Sequence, residues 1–168
     1  MKIPARLTPR LARRLALLVL DVDGVLTDGS LWFGPRGEAL KRFHVRDGHG
    51  IKLLQATGVH VAIISGRRSL AVASRCRELG IRHVFQGVVD KSHALERLLR
   101  KFDITDTQVA CVGDDTPDIP MFVRAGFAVA VRDAHPLALA AAHCSTTLGG
   151  GQGAVREVCD WLLAARQR

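Results

Sequence analysis

The chain has 168 residues, of which 48% are hydrophobic and 24% are charged. This length and composition predict one compact domain over residues 1–168 and argue against a disordered chain. The apolar run at residues 15–20 is far shorter than the roughly 18 to 20 residues that cross a bilayer, and no secretory signal pattern precedes it. We therefore predict no membrane partner.

The net charge of +8 raises the question of a nucleic-acid partner. The 24 Lys and Arg residues are spread along the chain, however, and aromatic residues do not interleave with them. The local basic cluster in residues 1–14 is interpreted as a solvated helical lead-in. We predict no nucleic-acid partner and expect the positive charge to attract a small anionic substrate. A basic binding module remains a competing hypothesis.

The four cysteines lie far apart and form no Cys-x-x-Cys pair. This spacing favours reduced thiols over disulfides or a zinc site, as is usual in a reducing compartment. We therefore predict a cytoplasmic protein.

From residue 15 onward, short apolar runs alternate with segments of helical periodicity. The runs rarely alternate polar with apolar residues, which is typical of strands buried on both faces of a parallel sheet. The predicted strands are residues 15–20, 59–64, 83–86, 109–112 and 128–131, and the predicted helices are residues 48–57, 69–79, 91–102, 118–125 and 154–165. This order predicts an α/β fold with a Rossmann-like, doubly wound parallel sheet and no cap domain.

Residues 29–44 depart from this pattern. Two strand-like segments, residues 31–33 and 39–44, flank the turn-forming sequence GPRG at residues 34–37, which predicts a projecting β-hairpin. An isolated two-stranded hairpin with two exposed aromatic side chains would be marginally stable. Either a partner chain or the domain itself is expected to cover it, and the sequence favours neither.

Polar side chains are predicted at the carboxyl ends of different strands. Asp21 follows the first strand, Ser65 the second and Asp114 the fourth. Lys91 begins the helix after the third strand. Because ligands bind at this edge of an open α/β sheet, we expect the four side chains to face one site.

The residue types at this site suit phosphoryl transfer. Asp21 can attack phosphorus and form an aspartyl-phosphate. Asp23 lies two residues later, on the same side of an extended segment, and can protonate the leaving oxygen and later activate water. Ser65 and Lys91 can stabilise the charge on the phosphoryl oxygens.

The carboxylates also predict a Mg²⁺ cofactor, because hard divalent ions prefer oxygen ligands. We expect Asp21, Asp114 and the backbone carbonyl of Asp23 to hold the ion. Asp118, one helical turn after Asp114, is expected to hold Lys91 or a metal-bound water.

Each of these signals is weak alone, because Asp-x-Asp-Gly also forms turns and Ser-Gly also caps helices. A non-catalytic phospho-receiver-like or regulatory domain is the main alternative, since receivers combine acidic, hydroxyl and lysine side chains on a parallel sheet. In receivers the phosphorylated aspartate follows the third strand, whereas here Asp-x-Asp-Gly follows the first. The order of the residues therefore favours an enzyme.

Four ordered motifs resemble the haloacid dehalogenase superfamily of phosphohydrolases: DVDGVLTDG at residues 21–29, IISGR at 63–67, VVDKSHAL at 88–95 and GDDTPD at 113–118. The stretches HVRDGHGIKLL, SGRRSLAVASRCRELGI, VAVRDAHP and GGGQGAVREVCDWLL further resemble the 3-deoxy-D-manno-octulosonate 8-phosphate phosphatase family. This resemblance implies a Mg²⁺-dependent release of phosphate from that sugar acid in lipopolysaccharide precursor synthesis. Another sugar-acid phosphate is the alternative substrate.

The resemblance also implies site roles and an assembly. Asp21 corresponds to the nucleophile and a metal ligand, Asp23 to the acid and base, and Ser65 to the phosphate-binding hydroxyl. Lys91 corresponds to the lysine of the third motif and Asp114 to the second metal carboxylate. It further implies a homotetramer in which the hairpins associate.

A sugar acid needs cations for its carboxylate, and arginine is suited to that task. Arg67 and Arg75 are spaced to share one face of the helix expected after Ser65. The predicted substrate contacts are Asp23, His44, Val45, Arg46, Asp47, Gly48, Lys52, Arg67, Arg75, Lys91 and Asp115. The glycine-rich residues 149–153 are expected either to bind an anion through their amides or to form a hinge or lid.

Overall fold

The computed structural model describes residues 3–35 and 37–168. Its strands are, in chain order, β1 (Leu17–Leu20), β2 (Trp32–Gly34), β3 (Gly37–Leu40), β4 (His60–Ser65), β5 (His83–Gln86), β6 (Val109–Gly113), β7 (Phe127–Ala130) and β8 (Cys144–Ser145). Six of them form one sheet in the order β5-β4-β1-β6-β7-β8, and all neighbours in it are parallel. The predicted Rossmann-like α/β fold is thereby confirmed.

Helices connect and flank these strands. They are α1 (Pro9–Arg14), α2 (Val45–Gln55), α3 (Leu70–Glu78), α4 (Lys91–Phe102), α5 (Ile119–Phe122), α6 (Pro136–Ala141) and α7 (Ala154–Gln167). The long last helix, α7, packs against α2 and α1, while α4 packs against α5 and β4. Within residues 3–35 and 37–168, none of the helices combines the length and apolar character that crossing a bilayer would need.

The register of the sheet determines where the polar strand ends meet. All four residues of β1 are buried, as expected of a central strand with neighbours on both sides. Leu20, its last residue, pairs with Ile63 of β4 and Val112 of β6. The carboxyl ends of these three strands therefore lie at one level, and the residues that follow them share one edge of the sheet.

Several predicted boundaries are wrong for identifiable reasons. The helix predicted at residues 118–125 is a 3-10 turn, Thr116–Asp118, followed by the short α5. Pro120 has no N–H to donate to the carbonyl of Thr116, so the 3-10 turn and α5 do not join into one regular helix, and α5 ends at Phe122. The helix predicted to begin at residue 48 begins at Val45, because the Nδ1 of His44 accepts a hydrogen bond from the N–H of Arg46 at 3.2 Å. The short elements α6 and β8 were not predicted.

The lead-in at the N-terminus is less solvated than its arginines suggest. Only Pro9–Arg14 is helical, and Thr8 caps it by accepting a hydrogen bond from the N–H of Leu11. Leu7, Ala12 and Leu15 are buried, and α1 packs against α7. An apolar face thus attaches this segment to the domain.

The predicted hairpin is present, but its second strand is shorter than expected and begins two residues earlier, at Gly37. β2 pairs with β3 in antiparallel fashion, and this pair is separate from the six-stranded sheet. Arg36, in the predicted turn, lies outside the described residues. The apolar side chains of the hairpin and its flanks are exposed at Leu31, Trp32, Phe33 and Leu40. Charged side chains at the hairpin base, in contrast, turn back toward the domain.

Candidate active site

A cavity of about 320 Å³ lies at the carboxyl edge of the sheet. Its lining residues are Asp21, Asp23, Gly29, Ser65, Gly66, Arg67, Lys91, Asp114, Asp115, Pro117 and Asp118. Loops after β1, β4 and β6 and the first residue of α4 supply most of them. The structure therefore brings the nucleophile, acid and base, hydroxyl, lysine and metal-ligand candidates into one pocket.

A buried ammonium group lies at the floor of this pocket. Lys91 is 5% exposed, and its Nζ lies 2.9 Å from Oδ1 of Asp21 and 2.7 Å from Oδ1 of Asp118. Burial disfavours the charged lysine, but the two carboxylates outweigh it and raise the pKa of Lys91. Lys91 is therefore cationic and lies beside the side chain expected to attack phosphorus.

Both carboxylate oxygens of Asp118 accept hydrogen bonds from protein groups. Its Oδ1 accepts a hydrogen bond from Lys91, and its Oδ2 accepts the N–H groups of Asp114 at 3.0 Å and Asp115 at 3.3 Å. One ligand oxygen from each of Asp21, Asp114 and Asp118 lies within 4.8 Å of the others. Because the oxygens of Asp118 are already engaged, we assign it to holding Lys91 and the Asp114 loop rather than to a metal.

The remaining carboxylates fit a divalent cation. Oδ1 of Asp21 is buried, and its ion pair with the Nζ of Lys91 at 2.9 Å is its only polar contact found within the described residues. Burial, followed by the charges of Asp21 and Asp118, raises the pKa of Asp114 to about 8. Burial also raises the pKa of Asp21 to about 6, in spite of the nearby Lys91. Carboxylates that are removed from water and lie beside other carboxylates are stabilised by additional positive charge, which a hard cation supplies.

Gly24 allows the two carboxylate loops to approach each other. A Cβ at this position would lie 2.0 Å from Oδ2 of Asp114, and the backbone has a φ of +84°. Any larger residue would therefore displace Asp114 and strain the backbone. The glycine of the Asp-x-Asp-Gly motif is required by the packing of the site.

Ser65 ends β4 with its side chain buried. Its Oγ accepts a hydrogen bond from the N–H of Arg67 at 3.4 Å, and its carbonyl accepts the N–H of Val88 at 3.1 Å. The hydroxyl hydrogen is therefore available to a ligand in the pocket.

Sequence reasoning missed two charged residues at this site, Glu38 and Lys41. The Nζ of Lys41 contacts Oδ1 of Asp23 and lies 3.2 Å from Oε2 of Glu38. Glu38 in turn accepts a hydrogen bond from Arg67 at 3.0 Å, and the Nε of Arg67 lies 3.8 Å from Oδ2 of Asp23. The acid/base candidate thus lies in a ring of four charged side chains. Their only sequence signal is that polar residues alternate with apolar ones near the hairpin.

The glycine-rich residues 149–153 pack against the loop that follows Asp23. The N–H of Gly151 donates to the carbonyl of Val25 at 3.0 Å, and the N–H of Gly150 donates to Oδ1 of Asp133 at 2.9 Å. A Cβ at Gly150 would lie 1.8 Å from the carbonyl oxygen of Gly24. The segment therefore supports the catalytic loop by direct backbone contact, which is neither of the two roles expected for it.

Most of the predicted sugar contacts lie away from this pocket. The residues that do not line it are His44, Val45, Arg46, Asp47, Gly48, Lys52 and Arg75. Asp47 is 1% exposed, and its Oδ1 accepts the N–H of Arg156 at 2.7 Å. It therefore caps the N-terminus of α7, where Gly153 has no side chain to do so. Arg46 lines a separate cavity beside α7.

The expected pairing of Arg67 with Arg75 on one helix face is also wrong. The helix α3 begins only at Leu70, so Arg67 lies in the preceding loop and lines the pocket. Arg75 forms an ion pair with Glu78 at 2.8 Å, and its guanidinium packs against Gly48, where a Cβ would lie 2.3 Å from it. Ser69 occupies the N-cap position of α3, so Arg67 precedes the helix and Arg75 lies within it.

Known proteins share this arrangement and sequence. A family model described as haloacid dehalogenase-like hydrolase matches residues 79–155. The 3-deoxy-D-manno-octulosonate 8-phosphate phosphatase of Escherichia coli (strain K12) is 50% identical over 155 residues, which cover 92% of this chain and 82% of the relative. The Yersinia pestis phosphatase of the same name is 48% identical over 157 residues, with coverages of 94% and 84%.

Solved structures of phosphatases of the same name also superpose on this chain. The phosphatase from Yersinia pestis superposes with a TM-score of 0.92 at 46% identity, covering 96% of this chain and 87% of that one. The Moraxella catarrhalis phosphatase, solved in complex with magnesium ion, phosphate ion and KDO, has a TM-score of 0.91 at 40% identity, with coverages of 95% and 91%.

The parallel sheet, with three aspartates and a buried lysine at its carboxyl edge, defines a hydrolase of the haloacid dehalogenase-like class. The 50% identity to the Escherichia coli phosphatase, over 92% of this chain, identifies one family within that class. The chain belongs to the 3-deoxy-D-manno-octulosonate 8-phosphate phosphatase family.

Proposed function

We propose that this protein is a Mg²⁺-dependent phosphatase that releases inorganic phosphate from 3-deoxy-D-manno-octulosonate 8-phosphate. The observation that carries the proposal is the convergence of Asp21, Asp23 and Asp114 with Lys91 in one pocket. Membership of the family adds the substrate and the pathway, lipopolysaccharide precursor synthesis. A phosphatase for another sugar-acid phosphate is the second candidate, because Arg67, the pocket residue predicted to bind the sugar carboxylate, has a side chain that is 41% exposed.

In the first chemical step, a carboxylate oxygen of Asp21 attacks phosphorus and forms the aspartyl-phosphate. The bond between phosphorus and the sugar oxygen breaks, and Asp23 donates its proton to that leaving oxygen. Lys91 and the hydroxyl of Ser65 stabilise the negative charge that spreads over the phosphoryl oxygens. Asp118 holds Lys91 in place for this task through their 2.7 Å contact.

In the second step, water attacks phosphorus of the aspartyl-phosphate. Asp23, now a carboxylate, accepts a proton from this water, while the bond from phosphorus to the oxygen of Asp21 breaks. Inorganic phosphate leaves, and both aspartates return to their initial states. One pair of carboxylates two residues apart thus serves both half-reactions.

The side chains of Asp21 and Asp114 and the backbone carbonyl of Asp23 would hold Mg²⁺. When bound, it supplies positive charge that reduces the repulsion between the carboxylates and the phosphate. The magnesium ion in the Moraxella catarrhalis structure supports this choice of metal.

The proposed assembly is a homotetramer formed through the hairpins. Trp32 and Phe33 are 58% and 66% exposed, and exposed aromatic side chains on a two-stranded hairpin favour burial against a partner. Neighbouring subunits would also enclose a site that lacks a cap domain. The predicted sugar contacts of His44, Lys52 and Arg75 would then have to be made across subunits.

The proposed location is the cytoplasm. The four cysteines are free thiols, which supports this location.

The test is a phosphate-release assay with Mg²⁺ over a panel of substrates. The panel contains 3-deoxy-D-manno-octulosonate 8-phosphate, a nine-carbon sugar-acid phosphate and glucose 6-phosphate, which lacks a carboxylate. We expect the first compound to have the highest kcat/KM. Asp21→Asn should lower kcat by about 10⁴-fold, because the nucleophile is lost.

Asp28→Asn is the matched control, because Asp28 lies in the same loop but pairs with the exposed Arg42. It should retain wild-type turnover. Turnover retained by Asp21→Asn would reject the aspartyl-phosphate mechanism, and a preference for glucose 6-phosphate would reject only the substrate.

A further inference from the structure

The side chain of Lys41 is almost completely buried, although it lies on the hairpin side of the pocket. It is 1% exposed, and its Nζ contacts the carboxylates of Asp23 and Glu38. A buried ammonium group is costly unless anionic partners surround it. Lys41 is therefore held between two carboxylates, and one of them is the proposed proton donor and acceptor.

The contact with Lys41 distinguishes the two oxygens of Asp23. Oδ1 is bound by Lys41, whereas Oδ2 has Arg67 as its cationic neighbour, with Nε at 3.8 Å, beyond hydrogen-bond distance. Arg67 is itself held by Glu38 at 3.0 Å. The ring of charges thus fixes the plane of the Asp23 carboxylate and leaves Oδ2 without a hydrogen bond within the described residues, on a side chain that lines the pocket.

We propose that Lys41 is a positioning residue that directs Oδ2 of Asp23 toward the leaving oxygen of the substrate. It acts by binding Oδ1 and so preventing rotation of the carboxylate. This inference rests on the proposed phosphatase chemistry, and it does not depend on which sugar acid is preferred. A proton donor must lie within hydrogen-bond reach of the atom it protonates, so its orientation affects the rate directly.

The position of Lys41 in the fold gives this contact a second consequence. Lys41 directly follows β3, whose only strand partner in the described residues is β2 of the hairpin. Glu38, the other carboxylate bound by Lys41, lies within β3 itself. The base of the hairpin is therefore connected through side chains to the loop that carries Asp23. If the hairpin moved, the carboxylate of Asp23 would be free to rotate.

The test compares two phosphate esters that differ in how much they need a proton donor. p-Nitrophenyl phosphate has a good leaving group that departs without protonation. Benzyl phosphate is of similar size, but its leaving alkoxide requires a proton. The quantity measured is kcat/KM, which reports the steps up to the first irreversible one, the transfer of the phosphoryl group to Asp21.

Lys41→Met should lower kcat/KM for benzyl phosphate by about tenfold, a part of the 10²- to 10⁴-fold contribution typical of general acid catalysis. The value for p-nitrophenyl phosphate should change by less than about threefold. Lys41→Arg, which keeps the charge and the reach, should restore most of the benzyl phosphate activity. Arg42→Met is the matched control, since Arg42 is the adjacent cation and pairs with Asp28 instead of Asp23; both esters should react at wild-type rates.

Equal losses for the two esters, or no loss for either, would overturn the proposal, because a merely structural role does not depend on the leaving group. If Lys41→Met does not fold, Glu38→Gln serves instead, since it removes the second carboxylate that holds Lys41. The same selective loss is expected there, and an equal loss would again count against the proposal.

The outcome is separable from that of the proposed function. If the wild-type protein with Mg²⁺ releases phosphate neither from the esters nor from 3-deoxy-D-manno-octulosonate 8-phosphate, the phosphatase chemistry fails and the role of Lys41 fails with it. If it hydrolyses both esters but shows no preference for a sugar acid, only the proposed substrate is rejected.

Discussion

The two ends of the six-stranded sheet carry cavities of nearly equal size. The cavity at the carboxyl end has a volume of about 320 Å³, and the one at the amino end about 340 Å³. The amino-end cavity is lined by His60 and His83, whose rings pack on Phe102 with centroid distances of 4.1 and 4.9 Å. Burial, with Lys101 nearby, lowers the pKa of His83, so its ring is neutral.

The difference between these ends lies in their electrostatics. At the amino end the ionisable side chains are paired with aromatic rings or exposed to solvent. At the carboxyl end, Lys91 pairs with Asp21 and Asp118, and burial together with the neighbouring carboxylates raises the pKa values of Asp21 and Asp114. A buried charge that the protein does not satisfy, rather than cavity volume, identifies the site.

Among the variants that compare the two ends of the sheet, the largest effect is expected for lysines at opposite ends of α4. Lys91 begins α4 at the carboxyl edge, and Lys101 lies near the other end of the same helix. Lys91→Met should lower kcat/KM by about 10³-fold, because the transition-state charge loses its buried cation. Lys101→Met should leave steady-state kinetics within about twofold of wild type, since surface charges contribute little.

The folding of both lysine variants is checked by thermal unfolding. Lys91→Met also leaves Asp118 unpaired and buried, so its Tm should fall, whereas that of Lys101→Met should not. If Lys101→Met impaired catalysis as strongly as Lys91→Met, the conclusion that only the carboxyl end of the sheet is catalytic would be contradicted.

A smaller effect is expected from two glycines that contact backbone carbonyls at opposite ends. A Cβ at Gly150 would lie 1.8 Å from the carbonyl oxygen of Gly24, and one at Gly126 would lie 2.3 Å from that of Thr107. Both alanine variants should be destabilised, because each forces backbone to move. Only Gly150→Ala should lower kcat per folded molecule, by about tenfold, since it displaces the loop that carries Asp23.

The measurement combines the folded fraction from circular dichroism with initial rates for phosphate release. A loss of kcat in Gly126→Ala equal to that in Gly150→Ala would show that any backbone clash impairs the enzyme. The supporting role of residues 149–153 would then be withdrawn.

The smallest expected effect is a dependence of stability on pH and Mg²⁺. Asp114 has a folded-state pKa of about 8, raised from 3.8. A carboxyl group with a raised pKa stabilises the folded state fully below its unfolded pKa, and this contribution is lost as pH rises through the folded value. The metal-free protein should therefore lose stability between about pH 4 and pH 8.

Mg²⁺ binds the ionised carboxylates, so its stabilising effect should grow over the same interval. We expect a Mg²⁺-induced increase in Tm that is larger at pH 8.5 than at pH 5.5 by about 3 °C. Asp114→Asn should remove most of this difference, which differential scanning calorimetry can measure. A Mg²⁺ effect independent of pH in the wild type would contradict the assignment of Asp114 as a ligand.

Sequence alone predicted the central elements because their signals are local. An uninterrupted apolar run followed by Asp-x-Asp-Gly indicates a buried strand and the site residues at its end, and β1 with Asp21 is found there. β8 has only two residues, too few to give a recognisable apolar pattern. The helix expected at residues 118–125 is the four-residue α5 preceded by a 3-10 turn, because Pro120 cannot donate the hydrogen bond that would join the two.

Within the site, the residues that precede or follow strands were predictable and those that arrive from elsewhere were not. Asp21, Ser65, Lys91 and Asp114 come directly from strand ends and a helix start, whose meeting at one edge follows from parallel pairing. Lys41 enters from the hairpin, and nothing in its local sequence indicates the direction in which the hairpin folds.

The amino-acid sequence by itself determined the parallel α/β class, the order of the motifs and the chemistry that two carboxylates and a lysine can perform. These depend on residue type and on periodicity along the chain. Tertiary structure alone decided that Asp47 caps α7 instead of facing the pocket, that residues 149–153 support the catalytic loop, and that Lys41 binds Asp23. Contacts between segments far apart in sequence depend on how helices and loops pack, which no local pattern encodes.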